Sequence, residues 1–191
     1  MTAAAALLTG CGGDSSGDTA DTSAGSSSAS PTAGAKDKAG MHDMDGMAMG
    51  DPSATPADQI PGADVVEGPL ELLDTRPPGM DGVEGTAWLA QGAEGTTVTV
   101  SLTGLEPGDA YMAHLHAQPC SADNGGEHFQ FEKGGPTMPP NEVHLMFTAD
   151  ASGKGMTTVN NTRKTGEDAV ALVVHPREAM DNRIACADFA F

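Results

Sequence analysis

Hydrophobic and polar positions alternate along much of the C-terminal two thirds of the chain. In TTVTVSLTGLEPG (96–108), Val98, Val100 and Leu102 fall on one side of an extended chain and Thr97, Thr99 and Ser101 on the other. That two-residue period predicts a strand, closed by the turn signal LEPGD. VEGTAWLAQ (83–91) and YMAHLHAQ (111–118) read as strands before and after it. EVHLMFTADASGKGMTTVNN (142–161) reads as a hairpin around DASGKG, DAVALVVHP (168–176) as a buried strand, and RIACADFAF (183–191) ends the chain. Strands at short spacing, turns rich in Gly and Pro and the lack of a helical period predict an all-β, antiparallel sandwich or barrel over residues 65–191.

The first third has a different character. Residues 12–62 are mostly Gly, Ser, Ala, Asp, Thr and Pro, with hardly a branched aliphatic side chain. Such a segment buries too little apolar area to offset its ordering entropy, so it is expected to be a disordered tether. Within it, MHDMDGMAMGDP groups Met41, His42, Met44, Met47 and Met49. Thioethers and an imidazole on an open chain suit Cu(I) better than any hard cation, which makes them candidate accessory copper ligands.

Residues 1–11 end the apolar run AAAALLTG with a cysteine, and LLTGC resembles a bacterial lipobox. The run is too short to span a bilayer. The resemblance implies lipid modification of Cys11, removal of the signal region and an extracytoplasmic, membrane-anchored protein. In that oxidising space the two other cysteines, Cys120 and Cys186, are free to pair with each other.

Charge narrows the partners. Acidic residues outnumber basic ones 27 to 9, giving a net charge of −18 and a pI near 4.3. That argues against nucleic acid or an anionic membrane surface as an electrostatic partner. Aromatics are 4% of the chain, so the core is expected from Val, Leu, Ala and Met.

Candidate chemistry lies with the histidines. In AHLHAQPC (113–120), His114 and His116 are two residues apart on a predicted strand. That spacing puts them on one face, about 6–7 Å apart along the backbone. His128 in GGEHFQF, His144 in NEVHL and His175 in VVHP complete a set of five in the predicted domain. Imidazoles in that number, away from free thiolate, suit copper or zinc.

Taken in order, HLH, Cys120, GGEHF, VVH and RIAC resemble the copper/zinc superoxide dismutases over roughly residues 82–191. The resemblance implies an immunoglobulin-like Greek-key sandwich with copper held by His114, His116, His128 and His175. It implies a Cys120–Cys186 disulfide, and Arg183 beside the metal with its guanidinium toward an incoming superoxide anion, so that Arg183 and His128 are the expected catalytic residues. The implied activity is disproportionation of superoxide to oxygen and hydrogen peroxide at the cell envelope.

Two departures from the family shape the expectation. The loop after His128, KGGPTMPPNEV, has no histidine, and only His144 follows at its end. A zinc site is therefore expected to be absent or incomplete, with His128 an ordinary ligand and His144 a hydrogen-bonding or surface residue. Only PREAMDN separates His175 from Arg183, where the family usually carries a long charged loop. Arg183, with Arg177 nearby, is then the only local attraction for an anion that the sequence displays. The shortened loops and the methionine cluster support the alternative of a copper-binding or copper-delivery lipoprotein with little turnover, served by a copper donor. A metal-free adhesive sandwich is a weaker third reading.

Overall fold

The computed structural model describes residues 49–191. The expected lipidation site Cys11 and the candidate ligands Met41, His42, Met44 and Met47 lie outside the described residues. Among the described residues nine strands form: β1 (Asp64–Pro69), β2 (Glu71–Leu72), β3 (Glu84–Gly92), β4 (Gly95–Thr103), β5 (Ala110–His116), β6 (His144–Thr148), β7 (Gly155–Asn161), β8 (Ala171–Pro176) and β9 (Ala185–Asp188). Among the described residues the helical turns are two short 3-10 segments, Ala57–Gln59 and Asp123–Gly125.

The strands make two antiparallel sheets, in the orders β1-β3-β4-β7 and β2-β9-β8-β5-β6. β6 and β7 edge the two sheets on the same side, and β8 returns to lie beside β5. Round the sandwich the order is therefore β8-β5-β6-β7, the fourth strand beside the first, which is the Greek-key arrangement. Between the sheets Leu89, Val98, Val100, Leu102, Tyr111, Leu115, Leu145, Leu172 and Val174 are fully buried. The aliphatic core follows from the alternation: on β4 the side facing inward is Val98, Val100 and Leu102, as expected.

Two features depart from the sequence reading. The Thr97/Thr99 side of β4 is not a solvent face. Thr99 is 0% exposed, its hydroxyl bonded to Thr158 Oγ1 at 2.8 Å and accepting from the Ala57 N–H at 2.9 Å. What covers it is the end of the expected tether, since residues 49–62 run across this sheet. Asp51 pairs with Thr158 of β7, and Met146 N–H of β6 donates to the Met49 carbonyl, so this segment stitches the edges of the two sheets together. Gly50 allows it, at φ +132 with a Cβ position only 2.2 Å from Thr157 Oγ1. Residues 49–62, expected to belong to a disordered tether, are therefore ordered against this sheet. Backbone pairing, Ala57 and well-placed threonines order this segment without the branched aliphatics whose scarcity suggested disorder. Likewise, strand structure starts before residue 83, because β1 pairs along β3 from Asp64↔Gln91 to Pro69↔Thr86.

Candidate metal centre

The outward face of the five-stranded sheet carries the histidines. β5 alternates Tyr111, Ala113 and Leu115 into the core with Met112, His114 and His116 outward. Register sets His114 opposite His144 of β6, and Met112 opposite His175 of β8. His128 arrives from a loop that continues the ladder beyond β5, with an isolated bridge to His116 and the Phe129 N–H on the Leu115 carbonyl. Phe129 is 6% exposed and anchors this segment in the core.

The fold brings together the four residues expected as metal ligands. One ring nitrogen from each of His114, His116, His128 and His175 lies within 4.8 Å of the others. Hydrogen bonds select which nitrogen is left. His116 Nδ1 meets the carbonyls of Gly125 and Gly126 at 3.2 and 3.1 Å, and His175 Nδ1 donates to the Met180 carbonyl at 2.6 Å. His128 Nδ1 is bonded to Glu142 at 2.8 Å. His114 Nδ1, His116 Nε2 and His175 Nε2 are buried with no protein partner. Buried polar atoms are nearly always satisfied, so three orphaned imidazole nitrogens converging on one point mark a place for an ion.

Electrostatics keeps these lone pairs available. Burial, reinforced by the neighbouring histidines His128, His144, His175 and His116, holds the His114 pKa far below its usual value. Burial, then His128 and Arg183, lowers His116 to about 3. Burial, with Arg183 and His128 adding to it, lowers His175 to about 4 against the opposing pull of the Met180 carbonyl. All three are neutral near pH 7, the form that binds metal.

Arg183 lies next to His116, sharing the Gly126 carbonyl with it, and backbone holds it. Its guanidinium donates to the carbonyls of Asp123, Asn124 and Gly126 at 2.7, 2.9 and 3.1 Å. Residues 123–126 all have positive φ, a run of left-handed geometry that turns these carbonyls inward. Gly125 is required, because a Cβ there would lie 2.7 Å from Val173 Cγ2 and 3.3 Å from the His116 ring. The same loop orients His116 and Arg183 through the shared Gly126 carbonyl. Cys120 and Cys186 form the expected disulfide, tying this loop to β9 three residues beyond Arg183.

Sequence reasoning missed Glu142. It is 2% exposed, and its Oε2 accepts from both His128 Nδ1 and His144 Nε2, at 2.8 and 2.9 Å, while Oε1 accepts from Gln130 at 2.8 Å. Burial pushes its pKa up, but the bonds from His144, Gln130 and His128 prevail and hold it below the usual range. The available signal was its position two residues before His144, where an acidic side chain shares the histidine face. His128, Glu142 and His144 form a second group of potential ligand atoms. Their 2.8 and 2.9 Å separations are hydrogen-bond lengths, shorter than the spacing of donors around a tetrahedral ion at about 2.0–2.1 Å. His144, expected as a hydrogen-bonding or surface residue, is 5% exposed and takes the hydrogen-bonding part, bonded to this carboxylate with its Nδ1 unpartnered.

The structure also corrects the picture of local charge. A cleft of about 850 Å³ opens at His128 and Arg183, and Lys133, Arg163 and Lys164 line it as well. Four of the chain's nine basic residues meet there, although Arg163 is partly engaged by Glu132 and lies 4.7 Å from the Phe131 ring centre. Arg177, named from the sequence as a neighbour, is not among the lining residues. No family model matches the sequence, and no curated protein does. Among solved structures the chain is similar to the Cu/Zn superoxide dismutase from Brucella abortus, with 21% identity, a TM-score of 0.46, and coverage of 67% of this chain and 99% of that one. What the fold and site define directly is a Greek-key β-sandwich with a cluster of four histidines, three buried and His128 part-exposed, fit for a metal ion.

Proposed function

We propose that the protein is a copper-dependent superoxide dismutase of the cell envelope, carried outside the cell by lipid-modified Cys11 and working without zinc. The observation that carries this reading is the orphaned, neutral nitrogen set of His114, His116 and His175, joined by His128 and flanked by Arg183. Copper held by neutral nitrogen donors supplies one-electron chemistry in both directions, which suits the conversion of superoxide to oxygen and peroxide.

This chain's residues do the rest. His128 presents its second nitrogen from a side chain that is 32% exposed, so the cleft reaches the cluster on this side. Glu142 holds the His128 Nδ1 proton, the position a zinc ion would need, which supports copper alone. Arg183 places a fixed positive charge beside the open side of the cluster, and Lys133 and Lys164 extend that charge along the cleft of a chain whose net charge repels anions.

Arg183→Ala tests the reading on the full-length chain. A dismutase should keep its copper and lose about 10- to 100-fold in rate at low salt, with partial rescue by Arg183→Lys. Equal rates in variant and parent would favour the second reading, a copper-binding protein with little turnover. That alternative gains support from methionines beside the histidines.

A further inference from the structure

The histidine face also carries a row of thioethers that the four-histidine cluster does not use. Met112 of β5 lies directly opposite Met146 of β6 on one side and His175 of β8 on the other. Opposed residues on antiparallel strands share a face, with Cβ atoms about 4.5–5.5 Å apart. Met146, Met112 and His175 therefore form one row across three strands. The row starts where the N-terminal segment joins the sheet, since the Met146 N–H donates to the Met49 carbonyl.

Met49 is 5% exposed and Met146 9%, yet neither belongs to the apolar cluster between the sheets. Their burial does not serve the main core, which is built mostly from Leu, Val, Ala and Phe. Thioethers are flexible, uncharged, soft donors that bind Cu(I) and exchange it readily, and they bind Cu(II) poorly. His175, at the end of the row, holds one of the orphaned nitrogens. Met49 is also the last residue of the Met41–Met49 group in the sequence.

We propose that Met49, Met146 and Met112 form a Cu(I) relay along the β6 edge that hands the ion to His175. The proposal rests on the reading of the histidines as a copper site. Each step is a ligand exchange without redox change: one Cu–S bond breaks as the next Cu–S bond, or finally a bond to His175 Nε2, forms.

The test uses the metal-free full-length chain. Cu(I) presented as its bicinchoninate complex should load Met112→Leu/Met146→Leu at least about tenfold more slowly than the parent, to the same final occupancy, because two of the three stepping thioethers are lost. Cu(II) loading should be unchanged. Equal Cu(I) rates, or an equal slowing of Cu(I) and Cu(II), would make these methionines packing residues and overturn the relay while leaving the copper reading intact. A chain that takes up neither ion would overturn both. Should the double variant not fold, the parent labelled at its methionine methyl carbons decides: Ag(I), a closed-shell stand-in for Cu(I), must shift the Met112 and Met146 resonances, and unshifted resonances sink the relay.

Discussion

The two sheets each bury an outward face of polar residues, and they do so with opposite accounting of hydrogen bonds. On the four-stranded sheet, Thr99 bonds Thr158 and accepts from the Ala57 N–H, and Thr97 bonds Asn160. On the five-stranded sheet, four histidine nitrogens at His114, His116, His144 and His175 are buried without partners. Both faces arise from the same two-residue alternation of strands. The first is closed by the chain's own residues 49–62, whereas the second leaves an unfilled demand for a ligand. Buried polarity by itself therefore does not mark a site; unsatisfied convergence does.

Breaking the histidine face should have the largest effect. His116→Ala is expected to reduce bound copper from about one equivalent to a small fraction and to lower dismutation at least about 100-fold, because one of four donors and the hydrogen bond to the Gly126 carbonyl go together. Metal analysis beside a rate assay on the same sample would settle it, and an unaltered copper content would remove the histidine cluster as the site.

Acid should distinguish the faces next. For a histidine the unfolded pKa is about 6.5, and burial lowers the folded values of His175 to about 4 and His116 to about 3. Below pH 6.5 the unfolded chain binds protons that the folded one refuses, so stability of the metal-free protein falls as pH drops from 6.5 toward 4. Each such histidine steepens the loss by up to roughly 1.4 kcal/mol per pH unit. Glu142 acts in the same sense lower down, since its depressed folded pKa gives stability that is lost once acid protonates it. Denaturant melts of the metal-free chain at pH 7 and pH 5 should therefore differ by a few kcal/mol, and overlapping curves would contradict the burial of neutral imidazoles.

The threonine face should respond only in stability. Gly50→Ala places a methyl group against Thr157 and a side chain at φ +132, with an expected cost of about 2–3 kcal/mol. Thr99→Val leaves the Ala57 N–H and the Thr158 hydroxyl without their partner, at about 1–3 kcal/mol. Copper content should stay at the parental level in both variants. A loss of copper in Thr99→Val would mean that the faces are coupled through the core.

Much of the fold was legible because strands impose a local period. The segments read from residues 83–91, 96–108, 111–118 and 168–176 correspond to β3, β4, β5 and β8, and the hairpin around DASGKG to β6 and β7. The four histidines and Arg183 could be named in advance because ligand types are rare and carried a family's order along the chain. β1 has no clear signature in the sequence, because DVVEGP is short and mostly solvent-facing and so shows no clean period.

What the sequence by itself determined was the set of strands, the histidine alphabet of the site and the chemistry those donors prefer. Only the tertiary structure decided that residues 49–62 close one sheet, that Glu142 takes the second nitrogen of His128, and that Lys133, Arg163 and Lys164 share a cleft with Arg183. The physical reason is range. Alternation and donor type are properties of neighbouring residues, whereas satisfaction of a hydrogen bond and the sum of charges in a cleft depend on groups tens of residues apart, and nothing local encodes which of them meet.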